Sequence, residues 1–170
     1  DEVFYKAVKD YCEIGGGSVG LTPIVGDALI DPKFLDRVKF LRSQHVIDRI
    51  FLTTNGILLD KFGVEEVINS GLTSIVISTA GFDEEMYRRV YRSNSYQKVR
   101  QNVLNLLECN SRKKDPIPIT IALRSDRPLA DVLKDKDFQP ILAYKPQIDF
   151  TWSFTSAGGR ITREMLPNLM

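Results

Sequence analysis

Short β-branched runs alternate with longer amphipathic stretches along the chain. Val3, Phe4, Ala7, Val8 and Tyr11 share one helical stripe, so Val3 to Ile14 predicts a helix, ended by Gly15-Gly16-Gly17. Ser18 to Val25 predicts a first strand. Pro32 suits a first helical turn with Asp31 as its N-cap, and a helix follows over Pro32 to Ser43. Asp48 to Thr53 is the second strand and Asn55-Gly56 a turn. Leu59 to Asn69 predicts a helix with Gly71 just past its end. Thr73 to Ser78 is a third strand whose nearly continuous apolar run suits cover on both faces. Asp83 opens a short helix through Val90, and Tyr96 to Glu108 is a longer one. Ile117 to Leu123 is the fourth strand. Short helical pieces over Pro128 to Val132 and Phe138 to Leu142 precede a fifth strand over Ile148 to Phe154.

Repeated strand-then-helix order predicts an α/β fold: a parallel sheet of about five strands with flanking helices. A closed eight-unit barrel needs about 250 residues. With 170 residues the chain is a partial (β/α) barrel or an open parallel sheet, in one domain over 1–170. It starts at Asp1 without Met and ends at Met170 with no closing element, which reads as a piece of a longer protein.

Hydrophobic residues make up 43% and charged residues 26%, the balance of an ordinary globule. Lys plus Arg number 23 against 22 Asp plus Glu, which gives no electrostatic case for nucleic acid or a membrane surface. No apolar run approaches a membrane span. Cys12 and Cys109, two cysteines far apart, make no disulfide framework and fit a reduced, cytoplasmic setting. With the single His45 they form no zinc or iron–sulfur spacing.

In parallel α/β arrangements ligands gather at the carboxyl ends of the strands. Here those tips read Val25-Gly26-Asp27, Thr53-Thr54-Asn55-Gly56, Ser78-Thr79-Ala80-Gly81, Arg124-Ser125-Asp126 and Ser153-Phe154-Thr155. One carboxylate (Asp27), one guanidinium (Arg124) and several hydroxyls suit an amino-acid-like zwitterion. The same residue types are also ordinary turn formers, and Asp27 could simply cap the next helix.

The stretches around these tips resemble the radical S-adenosylmethionine (SAM) enzymes, the group that often carries a SPASM-type cluster domain. Gly20 to Pro32 resembles the family's strand ending in Gly-Gly-Glu-Pro-Leu. Leu52-Thr-Thr-Asn55-Gly56 is similar to its "TNG" turn. Ile77 to Tyr87, continuing through Tyr91-Arg92 and Ser95 to Asn102, is like its "SxDG" motif. Trp152 to Arg160 is similar to the segment that leaves the barrel. The resemblance implies the central part of a partial barrel whose members cleave SAM reductively at a [4Fe-4S] cluster, forming a 5′-deoxyadenosyl radical. It implies Gly26 and Asp27 near the SAM ammonium, and Ser78 and Arg92 facing its ribose or carboxylate. Thr53 and Asn55 would line the pocket floor, and Arg124 is a second candidate for the carboxylate. Tyr87 and Tyr91 read as packing residues.

The chain departs from the family at three points. The acid is the shorter Asp27, the "SxDG" aspartate is Ala80, and the C-x-x-x-C-x-x-C loop that holds the cluster is absent. Truncation of the first strand and cluster loop, and of the C-terminal extension, is the simplest account. SAM and the cluster are therefore expected in the parent protein and neither in this chain, which is expected to be inactive by itself. The parent's substrate, a peptide or a small molecule, is not legible. The rivals are a degenerate, non-catalytic barrel module that binds a peptide or protein, and a lyase or aldolase barrel fragment. The latter lacks the Lys, His or paired acids it needs at the strand tips. An incomplete barrel exposes a sheet edge, so self-association is expected.

Overall fold

The computed structural model describes residues 2–23, 25–125 and 127–150. Helix α1 (Glu2–Glu13) leads into strand β1 (Gly17–Leu21). A 3-10 turn (Ala28–Ile30) and α2 (Phe34–Arg42) precede β2 (Ile47–Thr54). A second 3-10 turn (Leu59–Lys61) and α3 (Val64–Asn69) lead to β3 (Ser74–Thr79). Then come α4 (Glu84–Tyr91), α5 (Tyr96–Ser111) and β4 (Ile119–Leu123). Short helices α6 (Leu129–Val132) and α7 (Gln139–Leu142) precede β5 (Gln147–Phe150). No described helix is long and apolar enough to cross a membrane.

The five strands form one all-parallel sheet in the order β1-β2-β3-β4-β5. Because each strand pairs with the next in sequence, successive right-handed crossovers place their helices on the same side. A doubly wound sheet reverses direction and carries helices on both faces. This order instead builds the wall of a partial barrel, and the fold is the expected open α/β sheet.

Side-chain alternation shows the two faces. Along β3, Ile75, Ile77 and Thr79 are buried, whereas Ser74, Val76 and Ser78 are only half-buried. The core lies on the first set: Leu52, Ile75, Ile77, Ile119 and Ile121 pack beneath Val38, Leu41, Val99, Val103 and Leu106 of the helices. Cover on both faces, expected from the apolar run of β3, is therefore not found among the described residues. Val76 faces the concave side, where Thr53 and Thr120 flank it in register.

Three local expectations are corrected. The first strand stops at Leu21, and Val25 is 89% exposed. Pro23 has no N–H to continue the ladder. Asp31 does not cap α2. Its carboxylate accepts from the Lys33 N–H at 2.9 Å and pairs with Arg37, which makes a turn before the helix. The Leu59 to Asn69 helix is two pieces, broken at Gly63 (φ +81), where a Cβ would stand 2.0 Å from a Glu66 carboxylate oxygen. The fifth strand is described over Gln147–Phe150, and the remaining expected stretch 151–154 and the Trp152 to Arg160 segment lie outside the described residues.

Candidate functional site

A hollow of about 330 Å³ lies over the carboxyl ends of β1 to β4. Six of the seven expected site residues line it: Gly26, Asp27, Thr53, Asn55, Ser78 and Arg124. Arg92 is exposed and is not among the lining residues. A larger hollow, about 500 Å³, lies lower on the concave face between Arg49, Phe51, Ser74 and Gln147, and holds none of the seven. The smaller hollow is the functional candidate, because the strand tips with their loops and polar side chains converge there.

Asp27 organises the β1–β2 side. It is 8% exposed and caps the 3-10 turn: its Oδ1 accepts from the Leu29 N–H at 3.0 Å. Its Oδ2 accepts from the Thr54 hydroxyl at 2.7 Å and from the Asn55 N–H at 2.9 Å. Thr54 Oγ1 in turn accepts from the Gly56 N–H at 3.1 Å. The carboxylate thus joins the loop after β1 to the tip of β2. A carboxylate offers about four acceptor positions, so three bonds leave room for one more donor. Gly26 beside it has φ +91, a conformation that favours glycine.

The Asn55-Gly56 turn is held from both ends. Asn55 Oδ1 accepts from the Ile57 N–H at 3.0 Å, and Gly56 turns at φ +80. Buried Asn102 of α5 donates to the Gly56 carbonyl at 2.9 Å. A polar side chain within the apolar face of α5 is thereby satisfied, and the turn is fixed to the helix layer.

The β3–β4 side carries the cationic group. The Arg124 N–H donates to the Thr79 carbonyl at 2.8 Å, which extends the strand pairing to the root of the arginine. Its guanidinium has no ion pair among the described residues, and Asp131 pairs with Lys134. Ser78 projects from the tip of β3 into the same hollow.

Arg92 is the C-cap of α4 in the left-handed conformation (φ 50, ψ 39), with its N–H donating to the Arg88 carbonyl at 2.9 Å. This position turns the chain away from the helix. Tyr91, read from sequence as packing, also lines the hollow. Burial pushes its phenol above the ordinary tyrosine value, opposed by the nearby Ser78 hydroxyl and the charge of Arg124. Thr22, Pro23, Thr54, Val90 and Tyr91 also line the hollow without having been expected site residues, although Thr54 stands in a strand tip that the sequence marked. The only signal for Tyr91 was its spacing of four from Tyr87.

Among the described residues no group of three or more His, Cys, Asp or Glu is placed to hold a metal ion. Cys12 lies on α1 and Cys109 on α5, both as free thiols.

A family model described as the Radical SAM superfamily matches residues 1–135. The chain is also similar to a GTP 3',8-cyclase of Clostridium perfringens (strain SM101 / Type A). The two are 34% identical over 151 residues, 88% of this chain and 42% of the relative. A GTP 3',8-cyclase of Clostridium perfringens (strain 13 / Type A) is 34% identical over 115 residues, 67% of this chain and 34% of the relative. That of Chlorobaculum tepidum is 24% identical over 116 residues, 61% of this chain and 35% of the relative. The chain thus spans about two fifths or less of the length of these curated relatives.

Proposed function

The chain belongs to the radical SAM superfamily, and from that premise we propose that its strand-tip hollow holds SAM by the amino-acid end. The observation that carries the reading is Arg124: a guanidinium anchored at its backbone, without an ion pair among the described residues, in one hollow with Ser78, Thr53 and Asp27. An arginine forks onto a carboxylate, and a partly satisfied carboxylate accepts an ammonium. The hollow supplies both signs on opposite sides, so the residues present fit a zwitterion.

They do not fit a [4Fe-4S] cluster, which needs several thiolates together. No step through a cluster is therefore assigned to these residues. The family's chemistry, SAM cleavage to a 5′-deoxyadenosyl radical, would be supplied by the cluster once held elsewhere in the protein. The part proposed for this chain is to bind and orient the sulfonium nucleoside. In this reading the chain by itself cleaves no SAM. The relatives act by name on GTP, which makes GTP the first substrate to test in a protein that carries the cluster.

The test is an isotope-labelled NMR titration of the 170-residue chain with SAM. Saturable shifts are expected at the amides of Gly26, Asn55, Thr79 and Arg124. Shifts scattered over the helices, or none at these tips, would overturn the reading. Anaerobic reconstitution with iron and sulfide is expected to leave the chain without a stoichiometric four-iron absorbance.

A further inference from the structure

The hollow that lies lower on the concave face measures about 500 Å³, a volume that suits a small organic ligand. The strand register lays out its walls. Gly20, Phe51 and Ser74 form one row across β1, β2 and β3. The next row toward the tips reads Thr53, Val76, Thr120 and Gln147 across β2 to β5. Arg49 lies one side-chain position below Phe51 on the same face of β2. Thr53 lines the upper hollow and Val76 the lower, so the two hollows meet along that row.

The apolar wall is built before any ligand arrives. A Cβ on Gly20 would stand 2.5 Å from Phe51 Cζ and 2.8 Å from Cε2, so the ring lies directly against the β1 backbone. Gly20 is not in the left-handed region, so its backbone does not call for glycine. The seat for the ring does. Val76 and Pro118 continue the apolar surface of the hollow.

The polar groups around that wall are mostly unused donors. Arg49 and the Ser74 hydroxyl make no hydrogen bond or ion pair among the described residues. Gln147 Oε1 accepts from the Thr120 hydroxyl at 3.2 Å, which leaves the Nε2 hydrogens of Gln147 without an acceptor among the described residues. The Thr73 hydroxyl is occupied: it donates to the Ile50 carbonyl and accepts from the Ile50 N–H, both at 3.0 Å. No described Asp or Glu lines the hollow. Asp149 is paired in register with Ala122, one row nearer the tips, and is already engaged.

We propose that the lower hollow is a second ligand site that takes a small organic acid of one negative charge with an apolar body. The body lies against Phe51 and Val76, and the carboxylate takes Arg49 and Ser74. One guanidinium balances one charge and forks onto a carboxylate. A nucleoside triphosphate would bring several negative charges to a wall that offers one cation, so GTP, on which the relatives act by name, is a poor match for this hollow. The site stands without the reading of the upper hollow. Only a role for its ligand as the reaction partner of SAM rests on that reading.

The experiment titrates the isotope-labelled 170-residue chain with phenylpropionate, phenylpropionamide and GTP, and separately with SAM. Phenylpropionate is expected to shift the amides of Phe51, Ser74, Val76 and Thr120 saturably, with a dissociation constant on the order of 1 mM, the scale for so small a ligand. The uncharged amide should bind about three- to tenfold more weakly. Arg49→Gln should bring the acid down to the level of the amide and leave the amide unchanged. Arg49 is exposed and unpaired among the described residues, so this variant should fold as the wild type does. Gly20→Ala, which pushes the ring off its seat, should weaken both ligands alike; if it fails to fold, Phe51→Leu carries that arm. GTP should leave these amides in place. The proposal is overturned if the acid gives no saturable shift, if acid and amide bind alike to wild type, or if Arg49→Gln weakens both alike. Tighter binding of GTP, or ring variants that bind as wild type does, overturn it too. If SAM alone fails to move the strand-tip amides, the reading of the upper hollow falls and this site remains.

Discussion

Replacing Asp27 separates a structural carboxylate from a ligand-binding one. The side chain is 8% exposed and accepts three bonds, from Leu29 N–H, Thr54 hydroxyl and Asn55 N–H. Asp27→Ala strands all three donors. Loss of the N-cap bond costs about 1 kcal/mol. The other two are hydrogen bonds to a charged acceptor, about 1.5 kcal/mol or more each. The sum is about 3–5 kcal/mol, a large share of the roughly 5–15 kcal/mol that holds a domain together. Asp27→Asn is milder. One oxygen can keep the Thr54 and Asn55 donors, while the amide nitrogen then faces the Leu29 N–H, donor against donor. That single mismatch costs about 1–2 kcal/mol.

Urea denaturation followed by far-ultraviolet circular dichroism measures these losses. If Asp27→Ala fails to fold, Asp27→Asn and Thr54→Val carry the test. Thr54→Val removes one donor to Asp27 and the acceptor for Gly56 N–H, for about 1–2 kcal/mol. The two sites share a bond, so the double variant should lose less than the sum of the singles. Asp27→Ala within about 1 kcal/mol of wild type, or strict additivity of the pair, would refute the bracing role.

Two further outcomes follow from the buried phenols and the open sheet. Burial holds Tyr87, Tyr91 and Tyr96 above the ordinary tyrosine value of 10.0. Above pH 10 the unfolded chain sheds protons that the folded chain keeps, so stability falls as pH rises, by up to about 1.4 kcal/mol per pH unit for each phenol. Urea midpoints between pH 9 and 11 should drop steeply, and Tyr91→Phe with Tyr96→Phe should flatten most of that slope; an unchanged slope would count against it. Strands β1 and β5 are the edges of the described sheet, and Phe51 and Val76 lie on its half-covered concave face. Light scattering should therefore show dimers or larger species at high concentration, and a clean monomer at millimolar protein would contradict this.

The sheet was legible because β-branched runs separated by glycine and asparagine turns leave few alternatives to parallel strands with crossover helices. Asp83 was also legible as a cap, and its carboxylate accepts from the Met86 N–H at 2.7 Å. What failed depends on long-range partners. Asp31 and Asp27 are equally good caps by type. The choice between them was made by Thr54 and Asn55, 27 and 28 residues beyond Asp27. The break at Gly63 was hidden because a lone glycine within a helical pattern need not end a helix. The apolar run of β3 gave no sign that Val76 faces the concave side, since a valine suits either face of a sheet. Arg92 and Arg124 are alike in charge. Only the chain direction after α4 leaves one exposed beyond the hollow and the other lining it.

The tip of β2 shows how one short segment serves both stability and binding. Successive side chains of a strand point to opposite faces. Thr54 is buried at 2% exposure on the helix side, where it braces Asp27 and the Gly56 turn. Thr53, one residue earlier, is half-buried on the concave side. The same division recurs on β3, where Thr79 is fully buried and bonds within the Gly81 turn while Ser78 lines the hollow. Paired hydroxyl residues at a strand tip can thus supply one buried brace and one group facing the ligand. A one-residue slip in register would exchange them. The brace must be satisfied for the tip to stay in place, and the exposed partner is then free to be spent on a ligand. On this argument Thr54→Val should cost stability and Ser78→Ala should cost ligand discrimination, so the two hydroxyls differ in the property they carry more than in their chemistry.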